Sequence, residues 1–173
     1  MWEGAERVIS LDDHSAVAGV IEAGMAAADT GNRGGSTTVL ARVAEATRAV
    51  IDMALAESAE SGQPWWDSAL LRMRAELAAD EATTGCGADL DDLEHPWGRA
   101  AADWRDALEI TDRFGFPVHG ARAASGYAGL LQRVDRAEEG RLLLSEWYGR
   151  CTEGRDTPTL TAVRVHLETL GPT

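Results

Sequence analysis

Residues 116–160 read FPVHGARAASGYAGLLQRVDRAEEGRLLLSEWYGRCTEGRDTPTL. Two segments of helical length, each with an apolar stripe, meet at a short polar turn at residues 134–136. The apolar residues recur every three or four positions, which is the period of one face of an α-helix. The second segment is predicted to close at Gly149 or Gly154, ahead of Thr157-Pro158, because glycine and then proline mark helix ends. The stretch therefore predicts a helical hairpin.

The same helical stripes extend over the rest of the chain, and no segment has the sustained alternation of a β-strand. Ser36 is expected to cap the second helix, and Gly62 with Pro64 to stop it. Besides the hairpin, helices are predicted at 10–28, 37–61 and 65–79, from Pro96 to before Gly115, and at 158–170. About seven helices with mostly short links predict an all-α fold in which each helix is antiparallel to the one before. Residues 1–173 form one predicted domain, with Met1–Ile9 frayed.

The charge balance narrows the range of partners. Twenty-nine acidic residues against 16 basic ones give a net charge of −13. A surface of that sign repels phosphate backbones and anionic lipids, so neither nucleic acid nor a membrane is an expected partner. Every basic residue is arginine, which excludes lysine nucleophiles and Schiff-base chemistry. No signal peptide or membrane span is evident, and the protein is predicted to be cytoplasmic.

Two segments superficially suggest ligand sites, and neither has the required residues. The glycine-rich residues 31–35 precede Ser36, but a phosphate-binding loop of the Walker type needs a lysine. Residues 80–94 are acidic, yet they lack the glycine and the ligand frame of a calcium loop. A solvated or partly disordered loop is the prediction there, and no metal or cofactor is expected.

The spacing of the helices suggests a period of about 34 residues, that of tetratricopeptide repeats. Residues 65–77 (WWDSALLRMRAEL), 107–110 (ALEI) and 148–158 (YGRCTEGRDTP) resemble, in order, the C-terminal repeat arrays of large bacterial ATPase regulators and LuxR-type transcriptional regulators. The likeness covers roughly residues 46–170, and the insert at 80–94 departs from it. The resemblance implies a short solenoid of stacked antiparallel hairpins, in which small residues such as Ala128 and Gly140 let paired helices approach closely.

In such an array the first helices of the hairpins expose a concave surface that binds partners. The resemblance therefore implies a non-enzymatic interaction or regulatory module that binds a protein or peptide. Groove-facing positions are expected at Arg72, Glu76, Arg122, Ser125, Gly129 and Gln132. The two arginines are suited to a carboxylate. The alternative is that Arg72 and Arg122 pair with local acids at the surface.

Other functions remain as alternatives. The four histidines lie on different predicted elements without the spacing of a helical metal pair, and a catalytic pair of His119 with Cys151 is disfavoured. The tryptophans, including Trp65-Trp66, are interpreted as wedges between helices, although a tryptophan-lined pocket would suit a small ligand or an accessory enzyme. A third hypothesis is a homo-oligomer formed through the terminal helix Pro158–Leu170, because the end of a solenoid needs a cap.

Overall fold

The computed structural model describes residues 33–62, 64–81 and 89–171, without the side chains of 33–41, 65 and 81. This part of the chain is all-helical and has no strand, which confirms the predicted fold class. The predicted helix at 10–28 lies outside it. The helices are α1 (Arg33–Ser61), α2 (Asp67–Glu81), α3 (Pro96–Phe114), α4 (Pro117–Arg133), α5 (Ala137–Arg150) and α6 (Pro158–Leu170), with a 3₁₀ turn at Pro64–Trp66.

The chain divides into two compact units, Met1–Val50 and Ile51–Thr173, and α1 spans the boundary. The start predicted for α1 was wrong. The helix begins at Arg33, so Gly34 and Gly35 belong to its first turn and Ser36 is not its N-cap. A helical glycine costs only about 1 kcal/mol relative to alanine, so a glycine pair weakens a helix without forbidding it. The features that follow belong to the second unit.

The entry to α2 also differs from its prediction. Gly62 has the positive φ of 66° expected of a residue that stops a helix. Trp66 lies in the 3₁₀ turn and is 57% exposed, so it does not wedge between helices. The helix itself starts at Asp67 and continues to Glu81, beyond the predicted end near Ala79. The two acidic residues Asp80 and Glu81 therefore do not end the helix, since glutamate is a good helix former and aspartate costs less than about 1 kcal/mol relative to alanine.

Part of the acidic segment is packed instead of solvated. Leu90 is only 3% exposed, and its carbonyl oxygen accepts a hydrogen bond from Arg105 Nη2 at 3.1 Å. The same guanidinium forms an ion pair with Asp91 at 3.0 Å. Residues 89–94 are thus held against α3, because one apolar side chain and one arginine anchor them.

Caps place α3 and α6 where the sequence predicts them. Nδ1 of His95 accepts the N–H of Trp97 at 3.2 Å at the start of α3, and Gly115 ends that helix with φ 72°. Oγ1 of Thr157 accepts the N–H of Leu160 at the start of α6, which ends before Gly171. Both helices begin with proline, whose missing N–H costs nothing in the first turn.

The α4–α5 hairpin has the predicted turn at residues 134–136, with Asp135 at φ 62°. The end of α5 was predicted wrongly. It closes at Arg150, after the helical Gly149, while Gly154 with φ 67° lies in the following link. Nothing crowds Gly149, so it continues the helix like any weak helix former.

Each helix from α2 to α6 packs on the next, and α4 also contacts α2 and α6. A Cβ on Gly140 would lie 3.0 Å from the backbone of Ala128, and one on Gly120 would lie 2.0 Å from the ring of Trp147. The start of α4 thus meets the end of α5, so the two helices are antiparallel and closely packed. The core lies between them and α3, and includes Leu130, Leu131, Leu144, Trp97, Trp104 and Trp147.

Candidate functional site

A groove with a volume of about 710 Å³ runs between α2, α4 and α6. Of the six predicted partner-binding residues, it brings together five: Arg72, Glu76, Arg122, Ser125 and Gly129. Gln132 is exposed but does not line the groove. The remaining lining residues include Asp80, Trp104, Gly126, Leu130, Arg133, Val163 and His166.

Two faces of α4 explain the groove. The polar face begins at Arg122 and continues with the residues three, four, seven and 11 positions later, which is the spacing of one face of a helix. These residues are Ser125, Gly126, Gly129 and Arg133. The other face carries buried small and apolar residues: Ala121, Ala124, Ala128 and Leu131. Because that side is buried in the core, the polar face is directed into the groove.

Ser125 and His166 meet in the groove across α4 and α6. Oγ of Ser125 lies 2.8 Å from Nδ1 of His166. Burial lowers the pKa of the His166 imidazole, because removal from water disfavours its charged form. The ring is therefore neutral near pH 7. A neutral imidazole uses one nitrogen for Ser125, and Nε2 makes no hydrogen bond to a described residue.

The groove arginines differ in their partners. Arg72 forms an ion pair with Glu76 one turn further along α2, as the surface-pairing alternative predicts. Arg122 makes no ion pair or hydrogen bond with any residue in the described ranges. Within those ranges, the prediction that it pairs with a local acid is therefore wrong. Arg133 makes one long hydrogen bond, 3.5 Å from Nη1 to the carbonyl oxygen of Ala79, so the last turns of α2 and α4 adjoin.

The charge in the groove differs from that of the chain. Three arginines line it against two acidic residues, Glu76 and Asp80, whereas the whole chain has a net charge of −13. Because Glu76 is already paired with Arg72, Arg122 and Arg133 are the cations left to attract an anion. Solvent-accessible arginines that line a concave surface create a stronger local positive potential than the same arginines on a flat surface would.

Trp104 lies at the base of the groove and is almost completely buried, with 3% of its surface exposed. Its indole packs directly against Gly126, where a Cβ would lie 2.7 Å from Nε1, and it stacks on Tyr127 with ring centroids 6.2 Å apart. Nε1 is buried without a hydrogen-bond partner in the described part of the chain. Trp97 and Trp147 do not line the groove and belong to the core. Among the tryptophans whose side chains are described, Trp104 is the one that borders this groove.

Cys151 lacks the exposure and the charge state that a catalytic thiolate needs. The thiol is 1% exposed, its pKa is raised by burial, and Sγ donates to the carbonyl oxygen of Trp147 at 3.5 Å. His119 is exposed and packs edge-on against Phe116. A buried, protonated thiol is a poor nucleophile. Among the described residues, no group of three or more His, Cys, Asp or Glu side chains could hold a metal ion.

Sequence reasoning missed the other residues that line the groove, and three of these, Arg133, His166 and Trp104, contribute a charge, a polar contact or an aromatic ring. Arg133 shares the helical face of Arg122, so a longer projection along α4 would have found it. His166 and Trp104 come from other helices, and their proximity to Ser125 and Gly126 depends on how those helices pack. No local pattern in the sequence signals such contacts.

Comparison of the chain with protein-family models, curated proteins and solved structures finds no significant match. None of the described helices combines the length and the apolar character that a membrane crossing requires. The groove is therefore the feature of the described residues that bears on function.

Proposed function

We propose that this chain is a non-enzymatic, tetratricopeptide-like interaction module that binds an acidic segment of a partner protein in the groove between α2, α4 and α6. The observation that carries the proposal is the arginine-lined groove in a chain of net charge −13. Guanidinium groups bind carboxylates through paired, charge-assisted hydrogen bonds. A cytoplasmic regulatory role, as in the bacterial regulators that the sequence resembles, belongs to the same proposal.

The packing supports a solenoid of stacked hairpins. Helix α4 contacts both α2 and α6, and residues of all three helices line the same groove. The close approach of Gly140 to Ala128 is the contact that the resemblance implies for a repeat hairpin. In a solenoid of seven helices, this surface would be the concave face.

The first test is the removal of the guanidinium of Arg122. We expect Arg122→Ala to weaken binding of a fluorescein-labelled glutamate-rich peptide about tenfold, which corresponds to one charge-assisted contact of about 1.4 kcal/mol. Fluorescence polarisation at low salt measures the effect, and rising salt should weaken the wild type more than the variant.

Arg141→Ala provides the matched control, because Arg141 pairs with Glu138 on α5 and does not line the groove. It should bind the peptide like the wild type. Equal affinity of Arg122→Ala and the wild type would overturn the assignment of the groove.

A second candidate is a small-molecule site, which the cavity volume and the polar Ser125–His166 pair favour. A volume of about 710 Å³ lies within the usual range for such sites. An accessory enzyme acting on a small substrate falls under this candidate. A low-molecular-weight dicarboxylate that raises the thermal midpoint as much as the peptide does would favour it over the peptide.

Self-association through α6 is a further proposal about partners. Val165 on this terminal helix is 49% exposed, and the end of a solenoid needs a polar cap or a neighbour. A dimeric mass by light scattering that becomes monomeric in Val165→Asp would support it. A monomeric wild type at working concentration would remove it.

A further inference from the structure

Helix α4 contains three glycines, and packing explains only two of them. A Cβ on Gly120 would lie 2.0 Å from the ring of Trp147, and one on Gly126 would lie 2.7 Å from Nε1 of Trp104. A Cβ on Gly129 would meet only Cε1 of His166, at 3.8 Å, which is an ordinary van der Waals contact. The fold therefore requires glycine at the first two positions but has room for alanine at 129.

Glycine inside a helix is unfavourable, because it loses more backbone freedom on folding than any other residue. Gly129 lies four residues before the end of α4 and lines the groove. Its missing side chain leaves the helix backbone open to the groove beside the Ser125–His166 pair. A destabilising residue without a packing reason, at the wall of a groove, points to close approach by a ligand.

We propose that an extended acidic peptide runs along the groove face of α4, with one carboxylate at Arg122 and a second at Arg133, and that its main chain comes closest to the helix at Gly129. The inference rests on the proposed function and adds the conformation and spacing of the ligand. Arg122 and Arg133 are separated by 11 positions, about 16 Å along the helix axis. An extended chain covers that distance in about five residues.

His166 contributes a polar contact at the same point. Its Nδ1 is engaged by Ser125, and the ring lies within 3.8 Å of the space above Gly129. Nε2 can therefore hydrogen bond to a peptide group that passes over Gly129. A bulky side chain at position 129 would occupy the space that this peptide group needs.

The test uses two labelled peptides of equal charge, one with its two glutamates about five residues apart and an isomer with adjacent glutamates. We expect the spaced peptide to bind the full chain about fivefold more tightly. Gly129→Ala should weaken the spaced peptide about fivefold while raising the thermal midpoint by about 3 °C, and Gly129→Leu should weaken it much further.

Gly149→Ala is the matched control, because Gly149 is helical, uncrowded and outside the groove. It should raise the midpoint without changing either affinity. Loss of binding in Arg122→Ala with unchanged affinity in Gly129→Ala and Gly129→Leu would overturn this inference and leave the proposed function intact. Equal affinity for the two peptides would overturn the spacing. Failure of the wild type to bind either peptide would overturn both proposals.

Discussion

The α2–α3 and α4–α5 hairpins are held together by different chemistry. In the first, Arg74 binds Asp103 through two hydrogen bonds of 2.9 and 2.7 Å, and also binds Asp52 at 2.7 Å. In the second, Gly140 lies against the backbone of Ala128. The first pair of helices thus has a directional ionic contact in addition to its buried alanines, which include Ala75, Ala100 and Ala107, whereas the second relies on close packing of small residues.

The connections account for this difference. Residues 134–136 link α4 to α5, and so short a turn restricts how the two helices can slide past each other. Residues 82–95 separate α2 from α3 in the sequence, and a connection of that length restricts the offset of two helices less than a three-residue turn does. A bidentate arginine–carboxylate contact has one favoured geometry, so it can select the offset that the long link leaves open. We infer that Arg74 and Asp103 fix the register of the first hairpin.

The largest expected effect is the loss of the Asp103 carboxylate. Asp103 is buried, and its bond to Arg74 is the main cause of the raised pKa of that guanidinium. Asp103→Ala should lower the free energy of unfolding by about 3 kcal/mol, because it leaves a partly buried arginine with only Asp52 as a partner. Urea denaturation measures the change.

Asp106→Ala is the matched control on the same helix. Burial, together with the neighbouring Asp103 and Glu109, raises the pKa of the Asp106 carboxyl, so its charge is not stabilising. Its loss should leave stability unchanged or slightly higher. An equal loss of stability in both variants would show that the ion pair has no special role.

The next effect concerns the close approach in the second hairpin. Gly140→Leu should lower the free energy of unfolding by about 2 kcal/mol, because its side chain has to displace the backbone of Ala128. The circular dichroism melting curve measures it. If Gly140→Leu were as stable as the wild type, the close approach of Gly140 to Ala128 would not contribute to the stability of the hairpin.

The smallest expected effect is the dependence of stability on pH. Arg74 stays charged at any ordinary pH, whereas the pKa of His166, which contacts the second hairpin through Ser125, is lowered by burial. Below about pH 6.5 the unfolded chain binds a proton at this histidine that the folded chain resists, so stability falls with falling pH.

His166→Gln should remove the part of the loss of stability at low pH that this histidine causes. The measurement is the difference between the urea midpoints of wild type and variant from about pH 8 to about pH 5, which cancels the other titrating groups. The difference should be constant above about pH 7 and shift in favour of the variant below it. A difference that does not change with pH would contradict the lowered pKa.

The sequence predicted much of one side of the candidate site. Arg122, Ser125 and Gly129 recur at helical spacing on one segment, so their common face follows from the period of the helix. Arg72 and Glu76 follow in the same way on α2. The contact of Ser125 with His166, 41 positions away, does not follow, since it depends on the rotation and offset of α6 against α4.

Within the described residues, the sequence alone was sufficient to predict the helices and several of their limits. Capping side chains, prolines and glycines act on backbone groups within a few residues, so the turn at 134–136 and helix Pro158–Leu170 could be predicted from local signals. Other features depend on the tertiary structure. Arg74 contacts Asp103, which is 29 positions away in the sequence. Trp66 is exposed while Trp104 packs beneath Gly126, and Arg122 has no partner among the described residues. These contacts arise where separate helices pack, and packing depends on the shapes of all the side chains between them.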